Sequence, residues 1–317
     1  MEKRKLGKNG PEITTIGLGT WAIGGPWVFG WGPQDDKESL SAILRALDLG
    51  INWIDTAPAY GLGHSEEIVG QALQGKRDRV ILATKCGLVW DNSGKVVRNL
   101  KPDSIRREAE ASLRRLKTDY IDLYQIHWPD KNTEAEESWE AMARLQEEGK
   151  VRFIGVSNYN VSLLQKCEKR HHVDSLQPGY SLLNRGVEKA ELPWCRENGT
   201  GVVAYSPLQS GLLTGKFDKS RLAADDWRRK DNHFQEPRLS RNLEFADELQ
   251  AIAAKYDKTA AQLAVAWVLN HPAVTAAIVG ARRPSQIEET AGGADWQIDD
   301  TDLKKIDQLL GELDAEK

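Results

Sequence analysis

Short apolar runs alternate with longer stretches in which apolar positions recur every three or four residues. This alternation persists through most of the chain. The short runs, at residues 16–21, 52–54, 79–84, 120–126, 151–156, 175–177, 201–205 and 276–279, have the length and content of strands. The longer ones, at residues 37–49, 66–73, 102–116, 134–148, 163–170, 188–197, 243–255 and 260–270, have helical spacing. Pro102 with Asp103 beside it is a helix-start signal. Ahead of the first unit, residues 3–13 hold a turn signal, Gly7 to Pro11 with Asn9-Gly10, between two short strands. They read as a hairpin.

Eight strands, each followed by a helix, point to a parallel sheet. Runs such as Val80 to Ala83, apolar on consecutive positions, suit strands covered on both faces. The pattern predicts an α/β fold, a (β/α)8 TIM barrel with an N-terminal β-hairpin, forming a single domain over residues 1–317. An open doubly wound sheet would need a glycine-rich phosphate loop opening a helix after the first strand. Gly17-Leu18-Gly19-Thr20-Trp21-Ala22 offers the glycines, but residues 23–33 are too rich in Gly, Pro and Trp to be that helix. The loop after strand 7, residues 209–240, is far longer than the usual βα loop.

Composition narrows the partners. Charged residues make up 28% of the 317 and the formal net charge is −4, with Lys and Arg dispersed, so no footprint for nucleic acid exists. The longest apolar stretch, around residues 264–269, is far short of a membrane span, and no secretory signal is read at the start. Three cysteines, Cys86, Cys167 and Cys195, lack metal-ligand spacing and suit a reducing cytoplasm. The expected partner is a small molecule, and nothing in the pattern specifies an oligomer.

In a barrel of this kind reactive groups sit where strands end and βα loops begin. The second strand ends at Asp55, the third at Lys85 and the fourth at His127, with Tyr60 on the loop that follows Asp55. Taken singly each has a bland reading: a turn cap, a rim charge, a structural histidine, a half-buried aromatic. Their shared position favours chemistry. A Lys85 ammonium beside Tyr60 is expected to stabilise the phenolate and lower the tyrosine pKa, with Asp55 holding the lysine in place. Tyr60 then acts as a general acid towards a carbonyl oxygen, and a neutral His127 orients that oxygen. No nucleophile–base pair or zinc spacing accompanies them, and a hydride must come from elsewhere.

These residues and their neighbours resemble the aldo-keto reductases over essentially the whole chain. The matching segments are Gly19-Thr20-Trp21, Asp55-Thr56-Ala57 through Tyr60-Gly61 to Ser65-Glu66, Ala83-Thr84-Lys85 and Ile126-His127-Trp128-Pro129-Asp130. Ile154-Gly155-Val156-Ser157-Asn158, Tyr205-Ser206-Pro207-Leu208 and Gly280-Ala281-Arg282 with Gln286 and Glu289 complete the set. The spacing is similar to a bacterial branch with inositol-operon and general-stress reductases and glyceraldehyde or glycerol dehydrogenases. The resemblance implies NADPH/NADP+ bound in extended form, NADH being the other option, and Asp55, Tyr60, Lys85 and His127 as a catalytic tetrad. It implies further that Ser157, Asn158 and Gln177 meet the nicotinamide carboxamide and that Tyr205 lies against its ring. Thr20, Trp21 and Asp55 would flank the same end. Backbone from Ser206 through Leu208 and Ser210 to Gly211, with Lys216, would meet the pyrophosphate, and Gly280, Arg282, Gln286 and Glu289 would hold the adenosine end. Thr290 stands where an asparagine is common, a departure at one adenine contact.

The charged loop 209–240 is expected to be a belt over the cofactor that supplies Arg228 to its phosphates, against the alternative of a disordered insertion. Trp21, Trp27, Phe29, Trp31, Trp90 and Trp128 fall in or beside loops of the reactive face, and Trp21, Trp31, Trp90 and Trp128 are the expected substrate pocket. The expected activity is NADPH-dependent reduction of small aldehydes, ketones or sugar-derived carbonyls. The alternatives are NAD(P)+-dependent oxidation of a polyol or sugar and, from a different class, a nicotinamide-binding sensor or subunit with slow turnover.

Overall fold

The chain opens with an antiparallel pair, β1 (Lys3–Lys5) and β2 (Glu12–Thr14), with Arg4 opposite Ile13. This computed structural model describes residues 1–27 and 30–315. The strands that follow are β3 (Ile16–Gly19), β4 (Trp53–Asp55), β5 (Ile81–Cys86), β6 (Leu88–Trp90), β7 (Val96–Arg98) and β8 (Ile121–Ile126). Then come β9 (Val151–Ser157), β10 (Ser175–Gln177), β11 (Gly201–Tyr205) and β12 (Ala276–Gly280). The helices are α1 (Asp36–Asp48), α2 (His64–Ala72), α3 (Pro102–Leu116), α4 (Ala135–Glu147) and α5 (Val161–Glu168). They continue with α6 (Glu191–Asn198), α7 (Arg238–Ala254), α8 (Ala260–Asn270), α9 (Pro284–Ala291) and α10 (Asp300–Ala315).

Strands β3, β4, β5, β8, β9, β10, β11 and β12 pair in parallel and close into an eight-membered barrel. The expected (β/α)8 barrel and N-terminal hairpin are both present. Two cores hold it together. Between strands and helices lies the larger one, fed by residues such as Ile54, Leu82, Cys86, Tyr124 and Ile126. Inside and beneath the barrel, Leu6 and Ile13 of the hairpin pack with Trp53, Ala83, Leu123, Val203 and Ala276. Trp53 is fully buried there, its indole N–H donating to the Thr14 carbonyl at 2.8 Å. A Cβ on Gly17 would stand 2.1 Å from that ring, so this strand passes at a distance only glycine allows.

Helix α3 shows why the outer ring forms. Ile105, Ala109, Ser112 and Leu116 are buried at three- and four-residue steps, and Pro102 occupies the first turn. Helix α8 is apolar on all sides because it is buried on all sides, and Thr259 and Gln262 close a reciprocal capping box at its start.

The structure departs from the sequence expectation in several places. Strand β5 runs two residues further than the apolar run, so Lys85 lies within it, and α7 begins at Arg238. The hairpin of β6 and β7 and the helix α10 are additional elements. Within the long loop, a kinked turn at Gln209–Thr214 and three one-turn helical segments, Lys219–Arg221, Trp227–Lys230 and Asn232–Phe234, take the place of irregular chain. Three begin at an aspartate whose carboxylate accepts a backbone N–H two residues on: Asp218 from Ser220, Asp226 from Arg228, Asp231 from His233. The acids that made the segment look solvated therefore fold it, and buried Leu222 and Phe234 anchor it. Among the described residues no helix is long and apolar enough to cross a membrane.

Cys86 follows Lys85 and so faces the opposite side of β5. It is buried against α4, with its Sγ 3.7 Å from the Met142 sulfur, and burial pushes the thiol well above its usual range. Cys167 and Cys195 are buried too. A bulky thiol reagent is expected to label none of the three in the folded protein and all three after denaturation; rapid labelling of Cys86 in the native state would contradict this packing.

Candidate active site

Two-residue steps along neighbouring strands place the site. On β4, Trp53 and Asp55 point inward, while on β5 Ala83 and Lys85 do so, and on β8 Leu123 and Gln125, with His127 next in line. Lys85 is completely buried, and its Nζ donates to Asp55 Oδ2 at 2.6 Å, to the Thr56 carbonyl at 2.9 Å and to the Tyr60 hydroxyl at 3.2 Å. The other Asp55 oxygen accepts from Gln177 Nε2 at 2.8 Å, reaching across the barrel, and from Gln125 Nε2 at 3.5 Å. The Tyr60 and His127 rings meet edge to face, centroids 5.7 Å apart.

The loop that presents Tyr60 is fixed from both sides. Gly61 is left-handed (φ 65°), and a Cβ there would stand 1.9 Å from the Gly24 carbonyl, so backbone packs on backbone beside the tyrosine. Ser65 bonds Thr20 (2.8 Å, Oγ to Oγ1) and Thr56 (3.1 Å), and Thr20 N–H meets the Asp55 carbonyl at 2.9 Å. Behind β5, buried Glu66 takes Thr84 Oγ1 and Arg115 Nε, each at 2.6 Å. Ser65 and Glu66 thus hold α2 against the strands that carry the reactive groups.

Electrostatics correct one expectation and support another. Tyr60 is raised above its ordinary value: burial outweighs the lowering by Lys85, and Asp55 adds to the rise. Its hydroxyl keeps the proton. Lys85 is opposed by burial, but Asp55 and Tyr60 together hold it above the usual lysine range, so it stays charged. His127 is pushed well below the usual histidine range, first by burial and then by Lys85, so its ring is neutral. The cluster holds a protonated phenol, an ammonium and a neutral imidazole within one hydrogen-bonding neighbourhood.

Above them lies a cleft of about 820 Å³. Of the residues expected to bind cofactor, Trp21, Asp55, Ser157, Asn158, Gln177, Tyr205, Ser206, Leu208, Ser210, Gly211, Arg228, Gly280, Arg282 and Gln286 line it. Asn158, at φ 61°, donates to the His127 carbonyl at 3.1 Å and accepts from Tyr205 Oη at 2.9 Å, while Ser157 Oγ donates to the Gln177 carbonyl at 2.8 Å. Ser206, Gln209, Ser210 and Gly211 all have positive φ, and the Gln209 and Gly211 N–H groups close the turn on the Ser206 and Leu208 carbonyls at 3.0 Å each. Arg228 and Arg282 stand at the same end. Arg282 is lowered by burial and by Arg283 and Arg228, and its Nε donates to Gln34 Oε1 at 2.6 Å and its Nη2 to the Pro33 carbonyl.

Other expected residues lie away from the cleft wall. Thr20 is fully buried in the clamp described above. Lys216 and Glu289 bond each other at 2.7 Å, tying the long loop to α9. Thr290 is buried with its hydroxyl on the Gln286 carbonyl at 3.0 Å, a bond within its own helix. Among the expected pocket tryptophans, Trp21, Trp31 and Trp128 line the cleft, as does Trp27; Trp90, on the hairpin, does not, and Phe29 lies outside the described residues.

Two contributions were missed. Trp227, in the long loop, stacks on Trp21 (5.6 Å, 27°) and meets Trp31 edge-on, while the Arg228 guanidinium sits 4.2 Å over Trp31. The β6–β7 hairpin adds Leu88, Val96, Val97 and Arg98 to the wall. Its signal was available: Asp91-Asn92-Ser93-Gly94 is a turn cluster between two β-prone triplets.

Comparison with known proteins agrees with this fold. The chain is 43% identical to the aldo-keto reductase YhdN of Bacillus subtilis, covering 98% of this chain and 94% of that protein. It is 36% identical to the NADH-specific methylglyoxal reductase of Escherichia coli, covering 99% and 100% respectively. Its fold matches the glycerol dehydrogenase AKR11B4 of Gluconobacter oxydans with a TM-score of 0.89 at 41% identity, covering 98% and 95%. With the sequence model of the Aldo/keto reductase family matching residues 15–311, the chain belongs to that family of oxidoreductases.

Proposed function

We propose that the protein is a nicotinamide-dependent carbonyl reductase, preferring NADPH, that converts small aldehydes and ketones to alcohols. The observation that carries this reading is Lys85 buried between the Asp55 carboxylate and the Tyr60 hydroxyl, beside a neutral His127, on the floor of a cleft whose far end is basic. The cleft fits an extended dinucleotide: a Cβ on Gly280 or Gly211 would have nothing nearer than 4.0 Å, so both leave room, and Arg228 and Arg282 in the wall suit phosphates. Three free, buried cysteines are in keeping with a reducing cytoplasm.

A bound nicotinamide supplies the hydride to the carbonyl carbon. Tyr60 gives its hydroxyl proton to the carbonyl oxygen, so that C=O becomes CH–OH, and the phenolate left behind lies 3.2 Å from the Lys85 ammonium that stabilises it. Asp55 keeps Lys85 charged without taking its proton. His127 donates a hydrogen bond to the oxygen and fixes its approach to Tyr60. Asn158, held by Tyr205 and His127, offers preset amide contacts for the carboxamide together with Ser157 and Gln177. The same groups run alcohol oxidation in reverse, a second reading supported by the likeness to a glycerol dehydrogenase.

The direct test is consumption of NADPH absorbance with a panel of small aldehydes. Tyr60→Phe is expected to lower kcat by roughly 10²–10⁴-fold with the NADPH dissociation constant little changed; near-normal turnover in that variant would refute the proton-donor role. For His127, the depressed pKa means that the folded protein refuses a proton which the unfolded chain accepts below about pH 6.5. Stability therefore falls as pH drops through that value, and ring resonances of His127 are expected not to titrate between about pH 8 and 6.5; a midpoint inside that window contradicts the neutral assignment. NADPH differs from NADH by a ribose 2′-phosphate, and Arg282 with the exposed Arg283 is the proposed receptor. Arg282→Ala or Arg283→Ala is expected to weaken NADPH by roughly 1.5–3 kcal/mol and NADH little, as read from both dissociation constants. Equal losses for the two cofactors would sink this assignment.

A further inference from the structure

The closed strand order sets the hairpin side of the cleft opposite its arginine-rich end: β5 and β8 stand across the barrel from β11 and β12. Arg228 and Arg282 follow β11 and β12, whereas Arg98 stands on the hairpin after β5, beside Trp128 after β8. If dinucleotide phosphates take the first side, the second is left to the substrate, with Tyr60 and His127 between.

On that side the wall is apolar apart from Arg98. Leu88, Val96, Val97 and Trp128 supply hydrocarbon, His127 is neutral, and the Asp55 charge is met by Lys85. The Arg98 guanidinium is held by one hydrogen bond to the Pro129 carbonyl at 3.2 Å and lies 5.3 Å over the Trp128 ring. Among the described residues no carboxylate pairs with it, in contrast to Arg228, which Asp226 meets at 2.7 Å. One of five N–H donors is spent, the plane is oriented by an aromatic face, and the remaining donors are available to an anion.

We propose that Arg98 selects carbonyl substrates carrying an anionic group, a carboxylate or phosphate, remote from the carbonyl carbon, which the guanidinium binds while the carbonyl oxygen meets Tyr60 and His127. The substrate part rests on the reductase reading; the anion site does not. Such a group is recognised by paired N–H donors of an exposed guanidinium at the mouth of an otherwise apolar wall.

The test compares kcat/KM within matched pairs, 4-oxobutanoate against butanal and glyceraldehyde 3-phosphate against glyceraldehyde. The wild-type protein is expected to favour the anionic member of at least one pair, and which pair responds tells carboxylate from phosphate. Arg98→Ala should cut that preference roughly ten- to one-hundred-fold, chiefly through KM, with Arg98→Lys in between. A preference absent from the wild type, or untouched by Arg98→Ala, overturns the proposal. Calorimetric titration of the NADP+-saturated protein with succinate and with inorganic phosphate reads the same site without turnover, the arginines of the other end being occupied. Binding that Arg98→Ala abolishes supports it, and binding that is absent or survives the substitution overturns it. Failure of every carbonyl to consume NADPH would refute the reductase reading alone, since the titration still decides whether Arg98 holds an anion.

Discussion

Lys85 carries a full charge into the barrel, where it is shielded from water on every side. Desolvating an ammonium costs several kcal/mol, and only close partners offset it. The partners are the Asp55 carboxylate, the Thr56 carbonyl and the Tyr60 hydroxyl, and all three come from β4 and the loop that follows it. Asp55 is itself buried and needs donors for its second oxygen, which Gln177 supplies from β10 across the barrel. Burying one charge thus fixes the register of β4 on β5 and couples it to barrel closure. Losing either ion would leave the other uncompensated, at a cost of about 3–5 kcal/mol. The stability requirement and the chemical one coincide, because the geometry that neutralises Lys85 also places an ammonium at the tyrosine oxygen.

The rest of the site is arranged so that this pair can work. Burial raises Tyr60 more than Lys85 lowers it, which keeps the phenol protonated and able to donate. Burial also removes the charge from His127, next to an ammonium that would repel a second cation. Above them the aromatic contact of Trp21, Trp31 and Trp227 joins the first βα loop to the long loop after β11. That contact bridges the loops on either side of β12, with Arg228 held over the cleft by Asp226 and by the Trp31 face.

The long loop shows how composition misleads when its partners are out of sight. Asp218, Asp226 and Asp231 look like solvated charges in a linear reading, yet each caps a turn of its own. The hairpin after β5 went unread although its turn cluster was present, because three-residue strands carry too little periodicity to stand out. Lys216 and Glu289 were both expected at the cofactor, and they meet each other. Two long, flexible side chains of opposite charge reach whichever partner the tertiary fold brings near, and their separation in the chain hid that outcome.

By itself the sequence determined the barrel and its hairpin, and it pointed to three residues at or beside strand ends and a tyrosine on the loop between them. Strand and helix lengths are local properties, and in a parallel barrel the end of an apolar run marks the position where a reactive group can stand. Asp55, Lys85 and His127 were legible for that reason. What only the tertiary structure decided was the balance of forces on those groups and the identity of their more distant neighbours. The tyrosine's shift depends on how deeply it is buried against how near the lysine lies, and both are distances through space. The stacking of Trp227 on Trp21, the reach of Gln177 to Asp55 and the facing of Arg98 across the cleft from Arg282 join residues far apart in the chain, contacts that closure of the barrel creates and no local pattern encodes.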